Sequence, residues 1–394
     1  ASGTFIVFSN LIFGYGQIIS PEIVFIYILP WLILCAFLYF GIFLSKTYRI
    51  EIILMSLIII MGIINVYTSD NIYQSSIWMR MFLLSGIILL WTSMFIITEE
   101  RSRNYIYYLS CGLLFVIAII EIANYFITGS KLLSMNHPIP LGTLVILLMV
   151  GPLFMLASGQ KRMKLFSIFL VIMGLILLVI ANKRGIYLAI AGMTAAWIYY
   201  RYIRTSIYAI IILLICLTLL AVGWNYHKLL DKNIPSHNSI LHRLELYPFS
   251  LHIYQKHPLL GTGLRAFSHE SYLTDYQVHN KSLDTFKKTA IKLQTLDNMI
   301  LTGFVELGSI MTICYLGLIL YIIVRYCHIT QPFSLNHKKE FVLLLPLLGL
   351  AIHSMTYDSL IFPQINWLFH VQLGILAGFS KAEPQGPASP MPVA

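Results

Sequence analysis

Apolar runs of about twenty residues recur along almost the whole chain, with short polar turns between them, and about twenty is what a helix needs to cross a membrane. The runs predict spans at residues 23–44, 51–68, 78–98, 105–127, 141–158, 165–182, 186–200, 207–224, 299–324, 340–357 and 364–380. Residues 5–19 are apolar too and read as a shortened first span, for a total of about eleven or twelve. Several runs lie only a few residues apart, so their helices pair as antiparallel hairpins. The predicted fold class is all-α, a polytopic transmembrane helical bundle.

One long stretch breaks the pattern, at residues 225–298. Within it, SILHRLELYPFSLHIYQKH (239–257) spaces Leu, Tyr, Phe and Ile as an amphipathic helix does. That spacing predicts a helix lying on the membrane surface, kinked or divided at Pro248. HPLLGTGL (257–264) supplies Pro and two glycines and predicts a tight turn. Residues 281–292 read as a second, basic helix, and EPQGPASPMPVA as a disordered tail. The chain divides into N-terminal transmembrane helices (1–224), a loop domain (225–298), C-terminal transmembrane helices (299–381) and the tail (382–394). No internal repeat and no secretory signal peptide are evident.

Composition agrees. Of 394 residues, 58% are hydrophobic and 11% charged, against about a quarter charged in a soluble domain. A mean hydropathy of +0.80 cannot be hidden in one core. The net charge of +10 raises the question of nucleic acid, but most Lys and Arg sit in short loops, where they set topology instead. Lys46 and Arg49, then Arg101 and Arg103, then Lys161, Arg162 and Lys164, then Arg201 and Arg204, then Arg325, Lys338 and Lys339 fall in alternate loops. That alternation places those loops inside the cell and residues 225–298 outside. Cys35, Cys111, Cys216, Cys314 and Cys327 form no CxxC pair and read as small buried hydrophobes.

Candidate chemistry collects at the outer helix ends. Asn182-Lys183-Arg184-Gly185 sits between two apolar runs with almost no loop, against the positive-inside trend. Arg184 is suited to grip a phosphate with its planar fork of donors; snorkelling to the headgroups is the other reading for it and for Lys183. The same two readings stand for Arg80, just inside an apolar run. Glu121 reads as a polar tie between helices. Arg243 and Glu245 open the amphipathic helix, and Arg265 follows the Gly261-Thr262-Gly263 turn, either beside an anion or on a plain surface turn. Asp297 stands where the loop re-enters the membrane, as a helix cap or a general base, with Glu306 further in. His353 and Tyr357, four apart, are expected on one helix face, with Asp358 next to them. The loop histidines at 237, 242, 252, 257, 269 and 279 lack metal-ligand spacing, and no metal or cofactor is expected.

Three segments, in this order, resemble the bacterial O-antigen ligase and polysaccharide polymerase superfamily: NKRGIYLA (182–189), LHRLELYPFSLHIYQKHPLLGTGLRAF (241–267) and LDNMILTGFVELG (296–308). The middle one is the most specific, an arginine, a helix and then an hPLLGxGxxxF stretch. The resemblance spans residues 140–380. It implies an inner-membrane helical bundle with its active face in the periplasm. It implies whole-glycan transfer from undecaprenyl pyrophosphate to a sugar hydroxyl, metal-independent and inverting. The implied partners are that donor, an acceptor that is a growing glycan or lipid A–core, and membrane lipid. The family's pyrophosphate-binding arginines fall on Arg184 and Arg243, with Arg265 less closely matched. Ligases usually carry His-Asn where this chain has Asp297-Asn298, a pair closer to some capsule and exopolysaccharide polymerases, and His279 is the other candidate for the histidine role. A transporter of lipid-linked sugars is the rival reading; it would favour broken helices in paired halves, and the sequence shows no such symmetry.

Overall fold

The computed structural model describes residues 48–96, 100–128, 138–158, 161–181, 183–200, 235–266, 296, 298–332 and 338–379, with the backbone alone at 96, 128, 138, 161, 162, 184, 235–245 and 338. The predicted spans 5–19, 23–44 and 207–224, the helix at 281–292 and the tail lie outside these residues. α1 is Arg49–Thr68, and α2, Ile72–Trp78, passes through a π turn, Met79–Leu84, into α3, Ser85–Ile96. Next come α4 (Glu100–Thr128), α5 (Pro138–Leu148), α6 (Val150–Ser158), α7 (Lys161–Ala181) and α8 (Arg184–Ile198). α9 is Pro235–Lys256; α10 (Met299–Thr302) runs through a second π turn, Gly303–Leu307, into α11 (Gly308–Thr330). α12 (Lys338–Ser354), a 3-10 turn (Ser359–Ile361) and α13 (Pro363–Gly378) complete the bundle.

All regular structure among the described residues is helical, and each predicted span that falls there is occupied by helix. Among the described residues, six helices are long and apolar enough to cross a membrane: Arg49–Thr68, Ile72–Phe95, Glu100–Ile127, Ile139–Ser158, Met163–Ala181 and Met299–Thr330. Their outward faces are apolar as well. On α7, Leu165, Phe169, Ile172 and Val179 are all exposed, an arrangement that suits lipid and not water. Inside, α3 lies along α13, α1 along α11 and α8 along α12. Gly374 brings α13 against the α3 backbone, since a Cβ there would meet the Leu90 carbonyl at 2.5 Å.

The alternation of basic loops has a structural counterpart. Arg103 lies over the Phe379 ring (4.2 Å), which meets Tyr326 (5.3 Å), whose hydroxyl donates to the Glu340 carbonyl (2.8 Å). Lys339 lies over Phe154, and Arg325 pairs with Glu51 and lies over Tyr48. The basic residues of α4, α11 and α12 thus gather at one end of the bundle, among aromatic rings. The polar motifs gather at the other.

At that other end a transmembrane helix is broken and mended. The π turn at Gly303–Leu307 and the left-handed Gly308 (φ 74) free backbone groups that lipid cannot satisfy. The HPLLGTG segment supplies the partners. Thr262 N–H donates to the Val305 carbonyl (2.9 Å) and Gly263 N–H to that of Glu306 (3.0 Å). Ser309 N–H donates back to the Pro258 carbonyl (2.9 Å). From α1, Asn65 Nδ2 donates to the carbonyls of Leu260 (2.5 Å) and Glu306 (2.8 Å). The segment is therefore a buried bracket and not a surface turn: Thr262 is 1% exposed. Gly261 (φ 71) and Gly308 meet backbone to backbone, and a Cβ on either would press into the other's chain. Gly308→Ala is expected to cost at least about 1–3 kcal/mol from the positive φ alone, seen as a lower melting temperature in detergent. An unchanged melting temperature would remove the bracket from the account of stability.

Candidate active site at the bracketed end of the bundle

The loop ahead of the bracket is built on α9. Pro248 neither divides this helix nor ends it, contrary to one of the two expectations; its ring lies on the exposed side of the helix. Leu246, Phe249, Ser250 and Ile253 form its buried face at helical spacing. That face rests on the π turn at 303–307, with Tyr254 against Phe304 (6.0 Å) and its hydroxyl 2.6 Å from Ser309 Oγ. Arg243 lies on α9 and Glu306 on the π turn, so packing of α9 brings the second and third motif segments together.

Beside the π turn is a cavity of about 110 Å³ between the α2–α3 and α10–α11 segments and the 3-10 turn. Trp78, Phe82, Arg265, Glu306, Thr312 and Asp358 line it. Arg265 is left-handed (φ 62), one step past the bracket, and its guanidinium lies 4.6 Å from the Trp78 ring centre. Trp78 stacks on Phe82 at 4.5 Å. The Glu306 carboxyl is 3% exposed; it receives the Arg265 backbone N–H and feels the Arg265 guanidinium and the Asp358 carboxylate. Arg265 therefore interacts with Glu306 as well as lining the cavity, and it does not offer its whole charge to an incoming anion. Arg80 stands on the π turn between Trp78 and Phe82, partly buried, but is not among the residues lining the cavity.

The first motif segment arrives from another side. Lys183, partly buried, is the extended N-cap of α8 (φ −119, ψ 135), and its carbonyl accepts the N–H groups of Ile186 (3.1 Å) and Tyr187 (3.2 Å). Arg184 opens the helix. Gly185 leaves no room for a Cβ against Thr356 and His353. Asn298 reaches the same turn, donating from Nδ2 to the Met355 carbonyl (3.3 Å). Asp358, at the end of that turn, lines the cavity. The NKRG turn, the re-entry point and the Arg265 cavity are thus joined through residues 353–358.

Two expectations change. The helix cap at the re-entry is Asn298, whose side chain accepts the N–H groups of Ile300 (3.0 Å) and Leu301 (3.1 Å), because the helix starts one residue later than the Asp297 reading assumed. His353 and Tyr357 do not share a helix face: α12 ends at Ser354, and Tyr357 lies in the following turn. His353 is buried, with Nδ1 2.7 Å from Ser359 Oγ and 3.3 Å from Thr143 Oγ1, and so ties α5 to the turn. Glu121 is 1% exposed on α4, as a tie between helices would be. Asp297 and His279 lie outside the described residues, as do the side chains of Arg184 and Arg243. Asn65 and Trp78 were not singled out in the sequence. A lone amide in an apolar run was the available signal for Asn65, since such groups are costly in lipid; Trp78 carried none.

Among curated proteins, none matches the chain. A family model described as O-antigen ligase matches residues 168–316, a stretch that contains all three motif segments joined at this end of the bundle. Through that stretch the chain, a multi-pass membrane protein by its helices, is similar to the O-antigen ligase family.

Proposed function

We propose that the protein transfers a glycan from undecaprenyl pyrophosphate to a sugar hydroxyl at the periplasmic face of the bacterial inner membrane. The observation that carries this reading is the meeting of three motif segments at the end of the bundle opposite the basic loops. In this reading the donor's pyrophosphate lies against Arg184 and Arg243, with Arg265 at the cavity beside them. Lys183 and Arg80 add positive charge nearby. These cations offset the charge that builds on the leaving pyrophosphate, which is the task a divalent metal performs in many soluble enzymes. The acceptor hydroxyl attacks the anomeric carbon from the opposite face, and Asp297 or His279 takes its proton. With Asn298 as the cap, the carboxylate of Asp297 is not needed for capping, which favours the base role. Residues 225–298 form the periplasmic part of the site. The Asp297-Asn298 pair favours a polymerase extending a glycan on its carrier over a ligase acting on lipid A–core.

The transporter reading gains one point from the broken helix at 303–308, since transporters use such breaks. Here, however, the break is tied down by the loop and Asn65, which suits a fixed site better than a moving one. The test is purified protein in lipid given an undecaprenyl-pyrophosphate repeat unit, with and without lipid A–core, in the presence of chelator. A ladder without lipid A–core is the expected result. Product only with lipid A–core would mean a ligase, loss of product in chelator would sink the arginine mechanism, and no product with either acceptor would favour transport.

A further inference from the structure

A second cavity lies away from the site, and it rests on a hairpin that fails to close. α7 ends at Ala181 and α8 begins at Arg184, yet they make almost no contact with each other. α7 packs on α4, α5 and α6, whereas α8 packs on α12. The gap between them is a slot of about 580 Å³. Its walls are apolar, with Leu153 and Leu156 of α6, Val171 and Leu175 of α7 and Met193 of α8 among them.

Among the described residues lining the slot, the charged one lies at one end. Lys164, in the first turn of α7, and Trp197, in the last turn of α8, both line it and both lie at the end away from the NKRG turn. Lys164 is exposed. Trp197 meets Phe341 (6.3 Å) and Tyr200 (6.1 Å) among the aromatic rings of the basic end. Lys339 lies there too, over Phe154 and one turn before Val342, which lines the slot. Lys161 and Arg162 precede Lys164 in the sequence. An apolar slot for a chain, an aromatic residue at headgroup depth and lysines around that end together match an anionic phospholipid. Basic pockets between transmembrane helices on the inner side bind such headgroups.

We propose that the slot between α7 and α8 holds an acyl chain of an anionic phospholipid from the leaflet at the basic end, its headgroup held by Lys164 and Lys339. This site is separate from the glycan-transfer reading and does not depend on it.

The test is tryptophan quenching in phosphatidylcholine vesicles containing the full chain. The Trp197 contribution is the difference between the wild type and Trp197→Phe. Acyl-brominated phosphatidylglycerol is expected to quench that contribution at lower mole fraction than acyl-brominated phosphatidylcholine. Lys164→Glu and Lys339→Glu are each expected to reduce the preference by about fivefold or more, on the scale of one lysine near an anionic surface. Lys164→Arg, which keeps the charge, should retain it. Equal quenching by both lipids would overturn the headgroup assignment. Quenching by neither would mean that protein fills the slot, residues 207–224 included, and would overturn the proposal altogether. A melting temperature for each variant in the same vesicles separates loss of binding from loss of fold.

Discussion

Arg184→Ala and Arg243→Ala are each expected to lower glycan transfer by about a hundredfold or more at normal protein abundance in the membrane. In the proposed reaction negative charge builds on the pyrophosphate as the glycosidic bond to the carrier breaks, and an arginine gains interaction energy at that moment. Loss of such a donor therefore falls on the chemical step. Arg184→Lys should recover only part of the rate, because a point charge replaces a two-pronged donor. Arg265→Ala is expected to have the smaller effect, since its guanidinium already interacts with Glu306 and lies over Trp78. Transfer assayed in membranes, normalised to protein abundance, decides the matter. Near-full activity in both Arg184→Ala and Arg243→Ala would sink the assignment of the site.

Glu51→Ala should be among the most damaging changes to stability. Glu51 on α1 is fully buried and paired with Arg325 on α11, whose side chain is 18% exposed. Removal of the carboxylate leaves a largely buried cation with no acidic partner in that pair, a loss worth about 3–5 kcal/mol. Arg325 also lies 5.5 Å from the Tyr48 ring centre, but a ring contact offsets only part of that cost. The double change Glu51→Leu with Arg325→Met is expected to recover most of the stability, because it removes both charges and keeps apolar volume. Thermal unfolding in one detergent, followed for both variants, reads the difference. A Glu51→Ala protein that melts with the wild type would show the pair to be dispensable.

Hydropathy made the bundle legible because lipid imposes one rule on every span, whatever its neighbours. The same rule hid the π turns at Met79–Leu84 and Gly303–Leu307. MRMFLL and GFVEL read as ordinary helix, and the irregularity depends on partners far away in sequence. Asn366 Nδ2 donates to the Phe82 carbonyl (2.7 Å), and Thr262, Gly263 and Asn65 serve Val305 and Glu306. For the same reason Gly261 and Gly263 announced a turn but not its burial, which comes from Gly308. The candidate site was legible where it rested on charge out of place, as at Lys183 and Arg184, or on a re-entry point, as at Asn298. It was not legible in Trp78 or in the ties through residues 353–358, which exist only once α8, α12 and the loop have met.

The bracket also sets an order of events during synthesis. Asn65 lies 241 residues ahead of Glu306, one of the two carbonyls its amide serves. At about 5–20 residues per second, roughly 12–48 s separate the two at the ribosome. Through that interval α1 holds an amide in the membrane before both of its acceptors exist, and a nascent chain arrested before Leu260 has neither of them. Such chains present the same exposed polar group to the cell's insertion and degradation machinery, so premature termination anywhere between α1 and Leu260 should produce one kind of substrate for quality control.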